Sequence, residues 1–170
     1  LRQPLSGLFM DPGCGKTLTV LVAFLLLKKK RLISRMVVVA PLNVATRTWS
    51  GEVTKWGLNL KVVVLHGTKK DELADEDADI YVLNYEGLPW FSEAVARVVG
   101  RLRTERCWLV LDESTKVKHT NTQRFKTLRP LLSYFGRRTI LTGTPMPNGL
   151  LDLFGQVYAA DLGARLGRFI

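Results

Sequence analysis

The chain has 170 residues and a mass of 19.1 kDa, and 46% of it is hydrophobic against 24% charged. That length and balance describe one domain with a buried core, and exclude a largely disordered chain or a collagen-like repeat. Lys and Arg number 25 against 15 Asp and Glu, for a formal charge of +10 and a pI near 10.0, which points to a polyanionic partner. Taken in chain order, short apolar runs alternate with segments of helical length. Strands are expected at Leu5–Met10, Met36–Ala40, Lys61–Leu65, Ile80–Leu83, Cys107–Leu111 and Thr139–Leu141. Helices are expected at Lys16–Lys30, Asn43–Trp56, Tyr85–Arg103, Thr122–Ser133 and Leu150–Ala160. Strands that run apolar without alternation are buried on both faces, so the pattern predicts a three-layer α/β domain with a mainly parallel sheet flanked by helices. Ligands of such sheets bind at the carboxyl ends of the strands.

The charge is uneven. Residues 71–90 hold seven acids and no Lys or Arg, while the positive residues are spread along the rest of the chain. The acidic run Asp71–Asp79 reads as a solvated surface loop or short helix, without the spacing of a metal site. Two cysteines are too few for a disulfide framework and fit a reducing compartment, cytoplasmic or nucleoid-associated. The longest apolar run, Leu18–Leu27, ends at Lys28-Lys29-Lys30-Arg31, short of the ~20 residues that cross a membrane, so no membrane partner is expected. The chain begins at Leu1 and not at Met, which reads as a piece of a longer protein.

Three motifs follow predicted strands. Asp11-Pro-Gly-Cys-Gly-Lys-Thr17 opens the first helix. Gly13 and Gly15 let backbone N–H groups turn around phosphate oxygens, and the helix N-terminus adds its partial positive charge. Lys16 can reach β- and γ-phosphates, and the Thr17 hydroxyl can ligate Mg²⁺. Met10 stands where the full pattern G-x-x-x-x-G-K-[ST] has its first glycine, so the match is to the shorter G-x-G-K-T form. Cys14 serves as a small side chain in this loop, or as a thiolate acidified at a helix start. The strand Trp108–Leu111 ends in Asp112-Glu113, placed for Asp112 to hold Mg²⁺ and Glu113 to deprotonate an attacking water. Thr139–Leu141 ends in Thr142-Gly-Thr144-Pro145, whose hydroxyls can bond the Asp-Glu motif and follow a γ-phosphate. Trp49 and Trp56, at i and i+7 on one helix, read as core, and Trp90 and Phe91 read as buried residues or as stacking partners of bases.

Together these residues resemble the first RecA-like lobe of superfamily-two helicases, and specifically the Swi/Snf-type DNA translocases. The resemblance runs from about Leu5 to Ala160 and covers the chain as a single lobe at 1–170. DPGCGKT is similar to motif I, Val37–Trp56 to motif Ia, and Asp79–Leu88 to the family's strand-then-Tyr-Glu segment. LVLDEST resembles motif II, and LTGTPMPNGLLDLF, from Leu141 to Phe154, resembles motif III and is the most family-specific string. Motif II of the family reads Asp-Glu-x-His or Asp-Glu-Ala-Asp, where this chain has Ser114 and Thr115, and Thr115 is expected to couple to the motif III threonines. The upstream adenine-reading glutamine is not carried over to Gln3.

The resemblance implies a RecA-like P-loop NTPase fold, with ATP and Mg²⁺ as cofactors. Gly13, Cys14, Gly15, Lys16, Thr17 and Thr144 would bind nucleotide, Thr17 and Asp112 the metal, and Glu113, Lys16 and Asp112 would be catalytic. Arg47, Thr48, Gly67, Lys69 and Tyr85, with His66 and Lys70, would face a nucleic-acid backbone, whose recognition is sequence-independent. The implied activity is a DNA-dependent ATPase that moves on duplex DNA, completed by a second RecA-like lobe absent from this chain and hydrolysing inefficiently without it. The rivals are a strand-separating RNA or DNA helicase and a nucleotide-gated nucleic-acid-binding module without turnover. Compact motifs and lack of targeting would suit a bacterial or phage source.

Overall fold

The computed structural model describes residues 3–100 and 106–167. Six strands form one sheet: β1 (Leu5–Phe9), β2 (Arg35–Ala40), β3 (Val62–Val64), β4 (Ile80–Asn84), β5 (Cys107–Asp112) and β6 (Arg137–Thr142). Their order is β1-β6-β5-β2-β4-β3, and every pairing is parallel. Among the described residues five α-helices connect them, α1 (Lys16–Lys29), α2 (Trp49–Lys55), α3 (Lys70–Ala74), α4 (Leu88–Val99) and α5 (Gln123–Leu131), and a sixth, α6 (Asp152–Asp161), follows β6. All six expected strands are present, and all are parallel because each returns through a crossover rather than a hairpin.

The apolar runs are buried on both faces as their composition requires. Met36, Val38 and Ala40 of β2 face one way and pack with Val20, Leu21, Phe24 and Leu27 of α1 and Trp49 and Val53 of α2. Val37 and Val39, one residue out of phase, face the other way and share a cluster with Leu88, Phe91 and Val95 of α4, Phe125 and Leu128 of α5, and Tyr158 of α6. The strand period of two therefore sorts one sequence between two helical layers.

Several boundaries differ from expectation. Residues Val44–Thr48 form a π-turn before α2, and Tyr85–Gly87 form a 3₁₀ turn before α4. The expected end of that helix, through Arg103, lies outside the described residues. Thr122 caps α5 by accepting from the Phe125 N–H at 3.3 Å, as its hydroxyl favours. The acidic run is partly helical, in α3. Five of its six acids meet cations from outside the run: Arg97 pairs with Asp71 and Asp75, Lys61 with Glu76, Arg35 with Asp77 and Lys28 with Asp79. Among the described residues no cluster of His, Cys, Asp and Glu could hold a metal, and no helix is long and apolar enough to cross a membrane.

Candidate functional site

The strand order decides what meets. β1, β6, β5 and β2 are consecutive neighbours, so the four loops at their carboxyl ends lie side by side. These are the Gly-rich loop, the Thr142–Pro145 loop, the Asp112-Glu113 turn and the segment leading to α2. The sheet cancels sequence separation: Phe9 pairs with Thr142, more than a hundred residues on, and Leu141 with Asp112.

The Gly-rich loop holds Gly13 at φ +83° and Gly15 at φ +80°, left-handed positions that strain any residue with a Cβ. Gly15 caps α1 without a side-chain bond, and the first turn carries no acid, so the helix start keeps its N–H groups for an anion. The Lys16 ammonium rests on the loop's own carbonyls, at 2.7 Å from Met10 O and 3.1 Å from Asp11 O. Cys14 is exposed in this loop. These residues fit a nucleotide's phosphates: a cation, free N–H donors and an open surface stand together. The single buried carboxylate of Asp112 beside Thr17's helix suits Mg²⁺, which keeps most of its ligands from water and phosphate.

Asp112 is 6% exposed and held on both oxygens. Oδ2 accepts the Trp49 indole N–H at 3.1 Å, and Oδ1 accepts the Glu113 N–H at 3.1 Å. Burial pushes the Asp112 carboxyl above its ordinary value and the Glu113 charge adds to this, while the Trp49 bond and the nearby Lys16 charge pull it down. Glu113 itself sits at φ +52°, ψ +56°, a left-handed conformation rare outside glycine, and such strain gathers at functional turns.

The Thr142–Pro145 loop touches the Gly-rich loop directly. A Cβ on Gly143 would come within 2.9 Å of Pro12 Cδ and 3.4 Å of Met10 O. Thr142 is fully buried and its hydroxyl accepts the Thr144 N–H at 3.1 Å. No hydrogen bond joins Thr115 to these threonines; beside the direct β5–β6 pairing, a further link between the two loops runs through helix α6. Ser114 Oγ donates to Gln156 Oε1, and Gln156 Nε2 donates to Pro145 O, each at 2.7 Å.

The residues expected to face nucleic acid separate into groups. His66 and Gly67 are exposed after β3 and, with Lys70, line an open hollow of about 290 Å³ shared with Asn84 and Glu86. Lys69 is exposed beside them, and Lys70 lies over the Trp90 ring at 5.1 Å. Arg47 is exposed before α2. Thr48 lies elsewhere: it lines a groove of about 310 Å³ with Gly13, Gly15, Lys16, Glu52 and Trp56. Tyr85 corrects the expectation outright. It is 2% exposed, and its hydroxyl donates to Asp112 O at 2.8 Å, so it supports the Asp-Glu turn from beneath. Its burial among carboxylates pushes the phenol well above its ordinary value.

Trp56 also departs from expectation. Trp49 is fully buried, but Trp56 is half exposed because α2 ends at Lys55 and the stripe of i and i+7 ends with it. Its indole N–H bonds Glu52 Oε2 at 2.8 Å. Trp90 is partly buried against the core with its N–H on Asp71, and Phe91 is buried. Residue-type reasoning missed Trp49, Ser114 and Gln156 as site residues. A tryptophan in an apolar stripe and a glutamine inside a helix give no one-dimensional sign of what they reach.

A six-stranded parallel sheet with a Gly-rich anion loop after its edge strand and an Asp-Glu turn two strands away defines a RecA-like P-loop domain. The SNF2-related domain model matches residues 2–159, and the chain belongs to that family, as a Swi/Snf-type superfamily-two ATPase lobe. It is 31% identical over 96% of its length to "Putative protein p41" of Acyrthosiphon pisum secondary endosymbiont phage 1 and spans 37% of that protein. It is 28% identical to the ISWI chromatin-remodeling complex ATPase ISW2 of Saccharomyces cerevisiae, over 90% of this chain and 14% of ISW2. Among solved structures, the Sulfolobus solfataricus SWI2/SNF2 ATPase core in complex with dsDNA matches with a TM-score of 0.76 at 26% identity, covering 94% of this chain and 31% of that one.

Proposed function

We propose that this domain is the ATP-binding lobe of a DNA-dependent ATPase that uses Mg-ATP hydrolysis to move along duplex DNA. The observation that carries the reading is the adjacency of the Gly-rich loop, the Asp112-Glu113 turn and the Thr142–Pro145 loop at neighbouring strand ends. Backbone N–H groups from Gly13 to Thr17 would hold phosphate oxygens, that of Cys14 by leaving the Asp11 carbonyl it bonds at 3.2 Å, and Lys16 would leave the Met10 and Asp11 carbonyls for them. Thr17 and Asp112 would hold Mg²⁺, which when bound offsets charge on the β- and γ-oxygens. Glu113, on its strained turn, would accept the proton of the attacking water. Thr144 would follow the γ-phosphate.

Duplex DNA is the favoured polyanion, since a relative's structure carries dsDNA and the chain's net charge is +10. Arg47, Gly67 and Lys69, with His66 and Lys70, would form the backbone track, and Thr48 sits closer to the phosphate loop than to it. Leu150 and Leu151 are 77% and 74% exposed just after the Thr142–Pro145 loop, and a second RecA-like lobe would cover them. The test is ATP turnover by the complete polypeptide with duplex DNA, single-stranded DNA, RNA or nothing added. Stimulation by duplex DNA, lost in Lys16→Ala and in Glu113→Gln, is the expected result. Stimulation by RNA alone moves the assignment to an RNA helicase, and binding without turnover moves it to a nucleotide-gated module.

A further inference from the structure

We propose that helix α6 is a positioning relay that fastens the Glu113 turn to the loop after β6, through Gln156 and Asp152. The proposal deepens the reading above, in which Glu113 is the base. Gln156 and Ser114 are both fully buried. Ser114 Oγ donates to Gln156 Oε1 at 2.7 Å, and Gln156 Nε2 donates to Pro145 O and to Asp152 O, both at 2.7 Å. The opposite amide orientation would set Oε1 against two carbonyl oxygens, so the network itself fixes the direction.

One helical turn earlier the pattern repeats. Asp152 Oδ2 accepts from Lys118 Nζ at 3.1 Å and from the Asn148 N–H at 2.8 Å. Asp152 and Gln156 are i and i+4 on α6 and share a face. Each therefore holds one group from the Glu113 turn and one from the loop: Ser114 with Pro145, and Lys118 with Asn148. Between them Gly155 lies flat on the turn, where a Cβ would meet Lys118 O at 2.4 Å and Val117 O at 2.5 Å. Only a residue without a Cβ fits this seat between α6 and the turn. At its other end the loop is pinned by Thr144 N to Thr142 Oγ1 and by Gly143 against Pro12.

Beside the direct β5–β6 pairing, α6 thus gives a displacement of the loop a side-chain route to Glu113, and breaking one link leaves a buried partner unpaired. The hydrogen bonds of Ser114 and Gln156 go to neither Lys16 nor the Gly-rich loop, so the relay acts on Glu113's position and not on nucleotide affinity. This gives a physical role to the serine after Asp112-Glu113, a position whose identity the family pattern leaves open.

The test uses Ser114→Ala and Gln156→Met in the complete polypeptide, read first by amide hydrogen exchange without nucleotide. Ser114→Ala removes one small buried hydroxyl and is expected to leave the fold intact. Exchange should rise about fivefold in residues 112–118 and equally in 144–149, which the Ser114 hydrogen bond reaches only through Gln156. Gln156→Met should give the same two-sided change, and the double variant about the effect of the larger single. Loosening confined to 112–118 in Ser114→Ala would overturn the relay. With turnover, kcat should fall about tenfold while Kd for Mg²⁺ with a nonhydrolysable ATP analogue stays within about twofold. An unchanged kcat would overturn the positioning role. Failure of the wild type to bind the analogue would sink the nucleotide reading instead, and the exchange pattern would still decide the relay.

Discussion

The indole N–H of Trp49 donates to Asp112 Oδ2 at 3.1 Å, joining the start of α2 to the end of β5. Both residues are buried, and the bond fixes the carboxylate's plane. Trp49→Phe keeps most of the packing and removes the donor. A hydrogen bond to a charged group contributes about 1.5–3 kcal/mol, and that is the expected loss of stability in denaturant titration. Mg²⁺-dependent ATP affinity should weaken alongside, while Mg²⁺-free binding changes little. Equal weakening with and without Mg²⁺ would detach Asp112 from the metal.

Gly143 and Gly155 make opposite demands. An Ala at 155 would press its Cβ to 2.4 Å from a backbone carbonyl, with the 3₁₀ turn Ser114–Val117 unable to retreat. Gly155→Ala is expected to destabilise by about 1–3 kcal/mol or more, as overpacking does. At 143 the obstacle is the Pro12 ring, at 2.9 Å, on an exposed loop that can shift. Gly143→Ala should therefore cost little melting temperature and lower ATP affinity by displacing the Gly-rich loop. Thermal melts and nucleotide titration on the two variants separate the effects.

The sheet was legible because short, unalternating apolar runs such as Met36–Ala40, rich in valine, and Cys107–Leu111 recur between segments of helical length, as strands buried on both faces do. The Gly-rich loop was legible because its chemistry is local: Gly13, Gly15 and Lys16 act within one turn of chain. Tyr85 was misplaced because a tyrosine at a strand end looks the same whether its hydroxyl meets solvent or, as here, the Asp112 carbonyl 27 residues on. Trp56 was misplaced because periodicity carries no sign of where α2 stops. The Ser114–Gln156 link joins residues 42 apart across two elements, and no spacing rule encodes that. Local chemistry was readable, whereas contacts made by tertiary approach were not.

Tyr85→Phe distinguishes support from contact. The hydroxyl donates to Asp112 O at 2.8 Å, and burial keeps the phenol protonated well above its ordinary range, so the bond persists at alkaline pH. Removing it leaves a buried carbonyl short of a partner and should cost about 0.5–1.5 kcal/mol. Affinity for duplex DNA should stay within about twofold, because the side chain is 2% exposed. A large loss of DNA affinity at unchanged stability would restore Tyr85 to the track.

Asp152 gives a dependence on pH with a definite sign. Its burial pushes the carboxyl up, but the Asn148 N–H and the Lys118 bond and charge outweigh that, with His119 adding a weaker pull, and the net shift is below the ordinary value of 3.8. A depressed folded value means that the carboxylate's contribution is complete above the unfolded value and is lost as pH falls through the folded one. The melting-temperature gap between wild type and Asp152→Asn should therefore be flat from pH 8 to about 5 and close below about 4. Lys118→Met removes the paired charge and should narrow the gap at neutral pH, since Asp152 then keeps only the Asn148 N–H. A gap that stays unchanged well below pH 4 would place its origin elsewhere than in the Asp152 carboxylate.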